Sequence, residues 1–225
     1  MPHHHPFPQL ADQRSGRVVF LSHCLLNQHT RYLGGACRSC CVQEIVQQCI
    51  ALDLSMIQMP CPEELAWGGV LKRRFLQLYG LSRRWHLPGF AMAALAEVAG
   101  VLTRHQARRL ARRVAQQIQD YSAAGWQVVG IVGVDGSPSC GVRQTVGLRA
   151  AVAAFAALDP ATLTREAQNA TISALVEPGN GLFITALRAA MAKRGLDVPI
   201  LGHDLMAELR GETSPLDLET ALGEA

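Results

Sequence analysis

Val128-Val129-Gly130-Ile131-Val132-Gly133-Val134, followed at once by Asp135-Gly136-Ser137-Pro138-Ser139-Cys140-Gly141, decides how this chain is read. Seven unbroken apolar positions, β-branched wherever they are not glycine, predict a strand buried on both faces. The two glycines predict close packing around that strand. The polar stretch after it, with its glycines and proline, predicts a loop that carries a cysteine.

The same arrangement occurs twice upstream. Arg17-Val18-Val19-Phe20-Leu21-Ser22 reads as a buried strand, and Cys24 follows it. Leu54 to Met59 reads as another, stopped by Pro60-Cys61-Pro62 because proline cannot continue a hydrogen-bonded ladder. Leu25 to Gly35 is polar and reads as a loop. Val42, Ile45, Val46, Cys49 and Ile50 share one face of a helix predicted over about Ser39 to Leu52. Another helix is predicted over Arg104 to Ala124, with Thr103 and Gln106 as a capping box and Gly125 as the terminator. Further on, Ile172 to Val176 and Val198 to Leu201 read as strands flanking a helix from Leu182 to Lys193.

Strands alternating with helices predict a Rossmann-like α/β fold: three layers, with a mainly parallel sheet and helices on both faces. Residues 16–211 read as one domain between a flexible tail at 1–15 and a C-terminal tail at 212–225. Residues 67–100 break the alternation and read as an insertion or lid, or as a pair of packed helices. With 49% hydrophobic and 17% charged residues, the chain can bury a core and is not of disordered composition. A net charge of +3 does not by itself call for a nucleic-acid partner. Nothing resembles a signal peptide or a membrane span, so a cytoplasmic protein is expected. His3-His4-His5 read as part of a polar tail.

A parallel sheet brings Cys24, Cys61 and Cys140 to one edge, the edge where open α/β sheets bind ligands. Three thiolates gathered there are costly unless a metal shares their charge, and soft thiolates select zinc, copper(I) or iron–sulfur clusters. The alternative is three unrelated small buried residues. An odd total of seven cysteines in such a chain points to metal or redox chemistry rather than a disulfide framework. Pro62 and Pro138 stiffen the loops, and Gly136 and Gly141 are expected to let the backbone approach a cofactor.

Ser22-His23-Cys24-Leu25-Leu26-Asn27 with Arg31-Tyr32, then Cys61-Pro62-Glu63, then Asp135-Gly136-Ser137-Pro138-Ser139-Cys140-Gly141 resemble, in order, three motifs of the thiouracil desulfurase family. The chain has Asn27 where that family commonly has glycine and His23 where it has a small residue. The resemblance implies a single α/β domain with a [4Fe-4S] cluster on Cys24, Cys61 and Cys140. It implies an iron–sulfur-dependent enzyme, a desulfurase that removes sulfur from a thiolated pyrimidine or similar small molecule. Three protein ligands leave one iron open, a Lewis acid able to accept the sulfur.

Proton transfer in such a reaction falls to Glu63 or Asp135, with Ser139 beside them. For each carboxylate a structural role is the alternative: Asp135 bracing its own turn, Glu63 capping the next helix. Arg31, Tyr32 and Ser137 are the substrate-binding candidates, although Arg31 could instead pair with a carboxylate near the cluster. Cys37, Cys40 and Cys41 read either as reduced thiols at a helix start or as a redox or persulfide-accepting group. Lys72-Arg73-Arg74, Arg83-Arg84-Trp85-His86 and the Arg104 to Arg113 face, with Phe75, Tyr79 and Trp85, read as solvated helix surface, with RNA contact as the alternative. His203-Asp204 reads as a chance pairing. Two other functions stay open: a zinc or iron–sulfur sensor without turnover, and a tRNA sulfur-transfer enzyme. The absence of a glycine-rich phosphate loop counts against the latter.

Overall fold

The computed structural model describes residues 13–74, 76–77, 89–159, 161–212 and 216–223. His3 to His5, Phe75, Tyr79 and Arg83 to His86 lie outside them. Four parallel strands form the central sheet: β1 (Arg17–Leu21), β2 (Ser55–Gln58), β3 (Gln127–Asp135) and β6 (Ile200–Asp204), in the order β2-β1-β3-β6. All backbone hydrogen bonding in this sheet is parallel, with Leu21 opposite Gln58 on one side and Val132 on the other. In β1, Val18, Val19, Phe20 and Leu21 are all buried, and alternate residues point to opposite faces, so both faces of the strand are covered.

Between β1 and β2 runs α2 (Gln43–Ala51), and between β2 and β3 come α3 (Pro62–Trp67) and the long α4 (Gly89–Ala123). Phe20 meets Tyr121 of α4 edge-on at 6.0 Å between ring centroids, which places α4 against one face of the sheet. α4 also packs against α7 (Leu182–Ala192), α3 and α5 (Leu148–Ala157). A two-stranded antiparallel ribbon joins β4 (Gln144–Val146) to β5 (Val176–Pro178), flanking α6 (Arg165–Ser173). Among the described residues no helix is long and apolar enough to cross a membrane.

Several boundaries differ from those expected. α4 starts at Gly89, not at Arg104. Thr103 lies buried inside it, and its hydroxyl donates to the Ala99 carbonyl at 2.8 Å instead of capping a helix. Gly125 does terminate the helix, at φ +82°, with Trp126 N donating to Tyr121 O at 3.1 Å. The strand expected over Ile172 to Val176 is displaced. Thr164 caps α6 by accepting from Ala167 N at 3.2 Å, so Ile172 ends a helix and pairing begins only at Val176. The segment expected as a C-terminal tail carries α9 (Leu218–Gly223), docked on α2. Gln48 holds it by accepting from Leu218 N at 2.7 Å and donating to Leu216 O at 3.3 Å.

Strand order reverses between β1 and β3, since β1 leads outward to β2 and the chain then returns to β1's other side. The crevice at that switch, outside the carboxyl ends of the strands, is where such sheets bind ligands.

Candidate functional site

Each of the three cysteines stands just past a strand end. Cys24 lies in α1 (His23–Leu26), which begins just beyond β1. Cys61 is the N-cap residue of α3, with Pro62 in the first turn of that helix. Cys140 lies in the loop after β3, its carbonyl accepting from Val134 N at 2.8 Å, so the loop folds back onto the strand. That fold-back requires Gly133, whose missing side chain makes room for Val142 and the Cys140 carbonyl. Gly136 and Gly141 leave room for the loop's own packing, against Met206 and against the Gln144 and Ser137 carbonyls.

All three cysteines are free thiols. Burial pushes the Cys61 thiol up to about 12, and also raises Cys24 and, further, Cys140. Cys140 feels the charges of Cys24 and Cys61, and Cys61 feels that of Cys24, which raises them further. In this setting the thiols hold their protons at neutral pH unless a cation takes the charge. Among the described residues no three His, Cys, Asp or Glu side chains converge on a point where one ion could be held. A single ion needs each sulfur at about 2.3 Å. A cluster seats each thiolate on a separate iron, so its ligands stand further apart. The donors are three thiols, Cys140 buried and Cys24 and Cys61 half-buried, with two cations close by, Arg31 and Lys72; soft donors of this kind fit an iron–sulfur group.

Lys72 reads from the sequence as basic surface, but the structure turns it inward. α3 ends at Gly68 in the left-handed conformation, and a turn follows in which Lys72 N donates to Gly69 O at 2.8 Å. Lys72 itself adopts φ +49°, an uncommon conformation for a residue with a side chain. Its ammonium reaches the Glu63 carboxylate at 2.9 Å, with the two side chains 13% and 18% exposed. Burial works to raise the Glu63 pKa. Lys72, with help from the Ser139 and Ser137 hydroxyls, brings it below the ordinary carboxylate value. Ser139 Oγ is buried yet completes no well-formed hydrogen bond, so it lies beside Glu63 with capacity to spare. Ser137 is more committed: its Oγ accepts from Cys140 N at 3.0 Å and Ser139 N at 3.3 Å.

Asp135 is fully occupied. Its Oδ1 accepts from Val142 N at 2.9 Å and Arg143 N at 2.8 Å, and its Oδ2 from Arg143 Nε at 2.7 Å. A carboxylate holding three such donors braces the Cys140 loop, the structural alternative read from its sequence position. Arg31 likewise takes its structural alternative. Its guanidinium pairs with the buried Glu208 at 2.7 Å and touches Cys24. Glu208, from α8 (Leu205–Leu209), is also 3.2 Å from His203 Nε2 and 3.6 Å from Arg38 Nε. Burial opposes its charge, but His203 and Arg31 hold its pKa down at about 2. His203-Asp204 is therefore more than the chance pairing expected. His203 backs Glu208, and Asp204 caps α8 by accepting from Met206 N at 2.8 Å and Ala207 N at 3.1 Å. The Tyr32 hydroxyl meets Asn169 Oδ1 at 3.0 Å, and its ring covers Gly35, which fastens this loop to α6.

Glu208 and Lys72 are the two residues that sequence reasoning missed. A lone acid near the end of the chain carries no local signal of pairing with Arg31, and one lysine in a Lys-Arg-Arg run looks solvated. For Lys72 the signal is the Gly68-Gly69 pair, which turns the chain back towards Cys61.

No curated protein and no solved structure matches the chain. The model of the 2-thiouracil desulfurase family matches residues 19–195, a span that takes in all three cysteine loops, Glu63, Lys72 and most of the sheet. On that match the chain belongs to the 2-thiouracil desulfurase family.

Proposed function

We propose that this protein is a [4Fe-4S]-dependent desulfurase that removes sulfur from a thiolated pyrimidine or a similar small molecule. The observation that carries the reading is the set of three thiols past the ends of β1, β2 and β3, Cys140 buried and Cys24 and Cys61 half-buried, in a chain whose family is named for this reaction. Cys24, Cys61 and Cys140 would hold the cluster. When bound, it supplies an iron without a protein ligand, a Lewis acid for soft sulfur.

Exchanging a thiocarbonyl sulfur for oxygen consumes one water and releases one sulfide, with no net oxidation or reduction. What remains for the chain's own residues is proton transfer and placement. Glu63 is the group to take the proton from water: Lys72 keeps it ionised, and its carboxylate is not saturated by backbone donors as that of Asp135 is. The Ser139 hydroxyl, with no completed bond of its own, can turn towards the water or the substrate. Arg31 and Lys72 place positive charge against thiolates and so favour the anionic, ligand-bearing state.

The test is iron and acid-labile sulfide content after anaerobic reconstitution, with turnover of 2-thiouracil followed in the same samples. Wild type should bind about four of each per chain and release sulfide. Cys24→Ala, Cys61→Ala and Cys140→Ala should each lose both properties. A full complement of iron without turnover of any thiolated base would replace the enzyme by a sensor. Zinc, or no metal, would remove the reading.

A further inference from the structure

The remaining cluster of thiols lies in the loop before α2, with Cys40 exposed and Cys37 and Cys41 half-buried. Cys40 and Cys41 are adjacent in sequence, both free, with their sulfurs 3.7 Å apart. Several groups hold this loop in place. Buried Gln28 accepts from Cys37 N at 3.3 Å and donates its own backbone N–H to Cys40 O at 2.8 Å. Arg165 donates to Gly34 O and Ala36 O, both at 3.0 Å, and Arg38 pairs with Glu44 at 2.8 Å. The two sulfurs thus sit side by side on a pinned backbone, and Cys40 is open to solvent.

Oxidation to a disulfide is disfavoured at this pair. Adjacent Cα atoms across a trans peptide are about 3.8 Å apart, whereas disulfides usually bridge about 4.4 Å or more. What two fixed, reduced and accessible sulfurs can do without closing on each other is clasp a third, soft atom between them.

We propose that Cys40 and Cys41 form a dithiol site for trivalent arsenicals. A monosubstituted arsenic(III) species offers the matching chemistry, since it takes two thiols and has a third position filled by its own substituent. Two sulfur–arsenic bonds form and two arsenic–oxygen bonds break. Each thiol proton leaves with an oxygen as water, and no oxidation or reduction occurs. The Cys41 hydrogen bond that lowers the Cys40 pKa favours the first attack. The Cys37 sulfur has other contacts, Arg165 Nη2 at 3.7 Å and the Gly35 carbonyl at 3.9 Å, and is left out of the proposed pair. The site does not depend on any metal at Cys24, Cys61 and Cys140.

The experiment titrates the full chain, kept reduced, with phenylarsine oxide. Intact mass and thiol counting report the adducts, before and after excess glutathione or dithiothreitol. In wild type, one adduct that consumes two thiols should survive glutathione and yield to dithiothreitol. Cys40→Ser and Cys41→Ser should each remove that adduct, with affinity falling at least about a hundredfold because the second bond is no longer intramolecular. Cys37→Ser should keep it. Melting curves of the three variants establish that each is folded. An adduct count unchanged in both Cys40→Ser and Cys41→Ser, or equally reduced in Cys37→Ser, overturns the assignment. This outcome is read independently of iron content and turnover, so it stands apart from the fate of the desulfurase reading.

Discussion

Two ion pairs flank the three thiols past the strand ends, and they are built differently. On the Cys24 side, Arg31 pairs with Glu208, which is fully buried, backed by His203 and approached by Arg38. On the Cys61 side, Glu63 pairs with Lys72, both partly open to solvent. The first pair is sealed and made of groups that cannot move without opening the core. The second joins a flexible amine to a carboxylate near a spare hydroxyl. A sealed charge pair serves chiefly to hold geometry, because its groups are closed to an incoming ligand, whereas a partly open pair can exchange a proton with one. Both pairs put a cation beside a thiol.

The largest effect should come from breaking the sealed side. Glu208→Gln leaves Arg31 buried with its main counter-charge gone, and should cost about 3 kcal/mol of unfolding free energy, measured by urea denaturation at pH 7. The comparison with wild type also has a pH signature. The Glu208 pKa is depressed to about 2, so its contribution is present above the ordinary carboxylate value and lost as pH falls. The gap between wild type and Glu208→Gln should therefore be full at neutral pH and close as pH drops from about 4.5 towards 2. A gap that persists unchanged at the acid end would mean Glu208 acts through shape rather than charge.

Breaking the open side should read out in chemistry. Glu63→Gln keeps a polar group of the same size facing Lys72, and is expected to lower desulfuration at least about a hundredfold while iron and sulfide content stay at wild-type level. Near-wild-type turnover would end the distinction between the two pairs. The smallest effect belongs to the loop that supports the sealed side. Tyr32→Phe loses one hydrogen bond to Asn169 and should cost about 1 kcal/mol in the same denaturation assay, with turnover per assembled cluster preserved.

How much of this is legible in the sequence depends on how local each signal is. Buried strands announce themselves through β-branched runs. Three cysteines following three such runs predict their own meeting, because parallel strands must point the same way. The start of α4 is not legible, since Thr103 and Gln106 satisfy a capping pattern that a continuous helix overrides. Ile172 sits in an apolar run too short to separate strand from helix, and the Thr164 cap decides for helix. Asp135 and Glu63 look alike in sequence, each near a cysteine. Only the loop's backbone donors, converging on Asp135, tell them apart. Glu208 is beyond reach because its partner lies at the other end of the described chain, and no periodicity links positions so distant.

That distance also sets a schedule. Arg31 emerges long before Glu208, so the support behind Cys24 cannot exist on a chain that has not yet reached Glu208. Cys24 and Cys61 can be brought to neighbouring strand ends by β1 and β2, but their setting closes only once β3, β6 and α8 have joined the sheet. Contacts of such long sequence separation form late. The thiols therefore stay solvated and accessible until the fold is nearly whole. The setting of the three thiols is thereby tied to folding of the segment that carries Glu208.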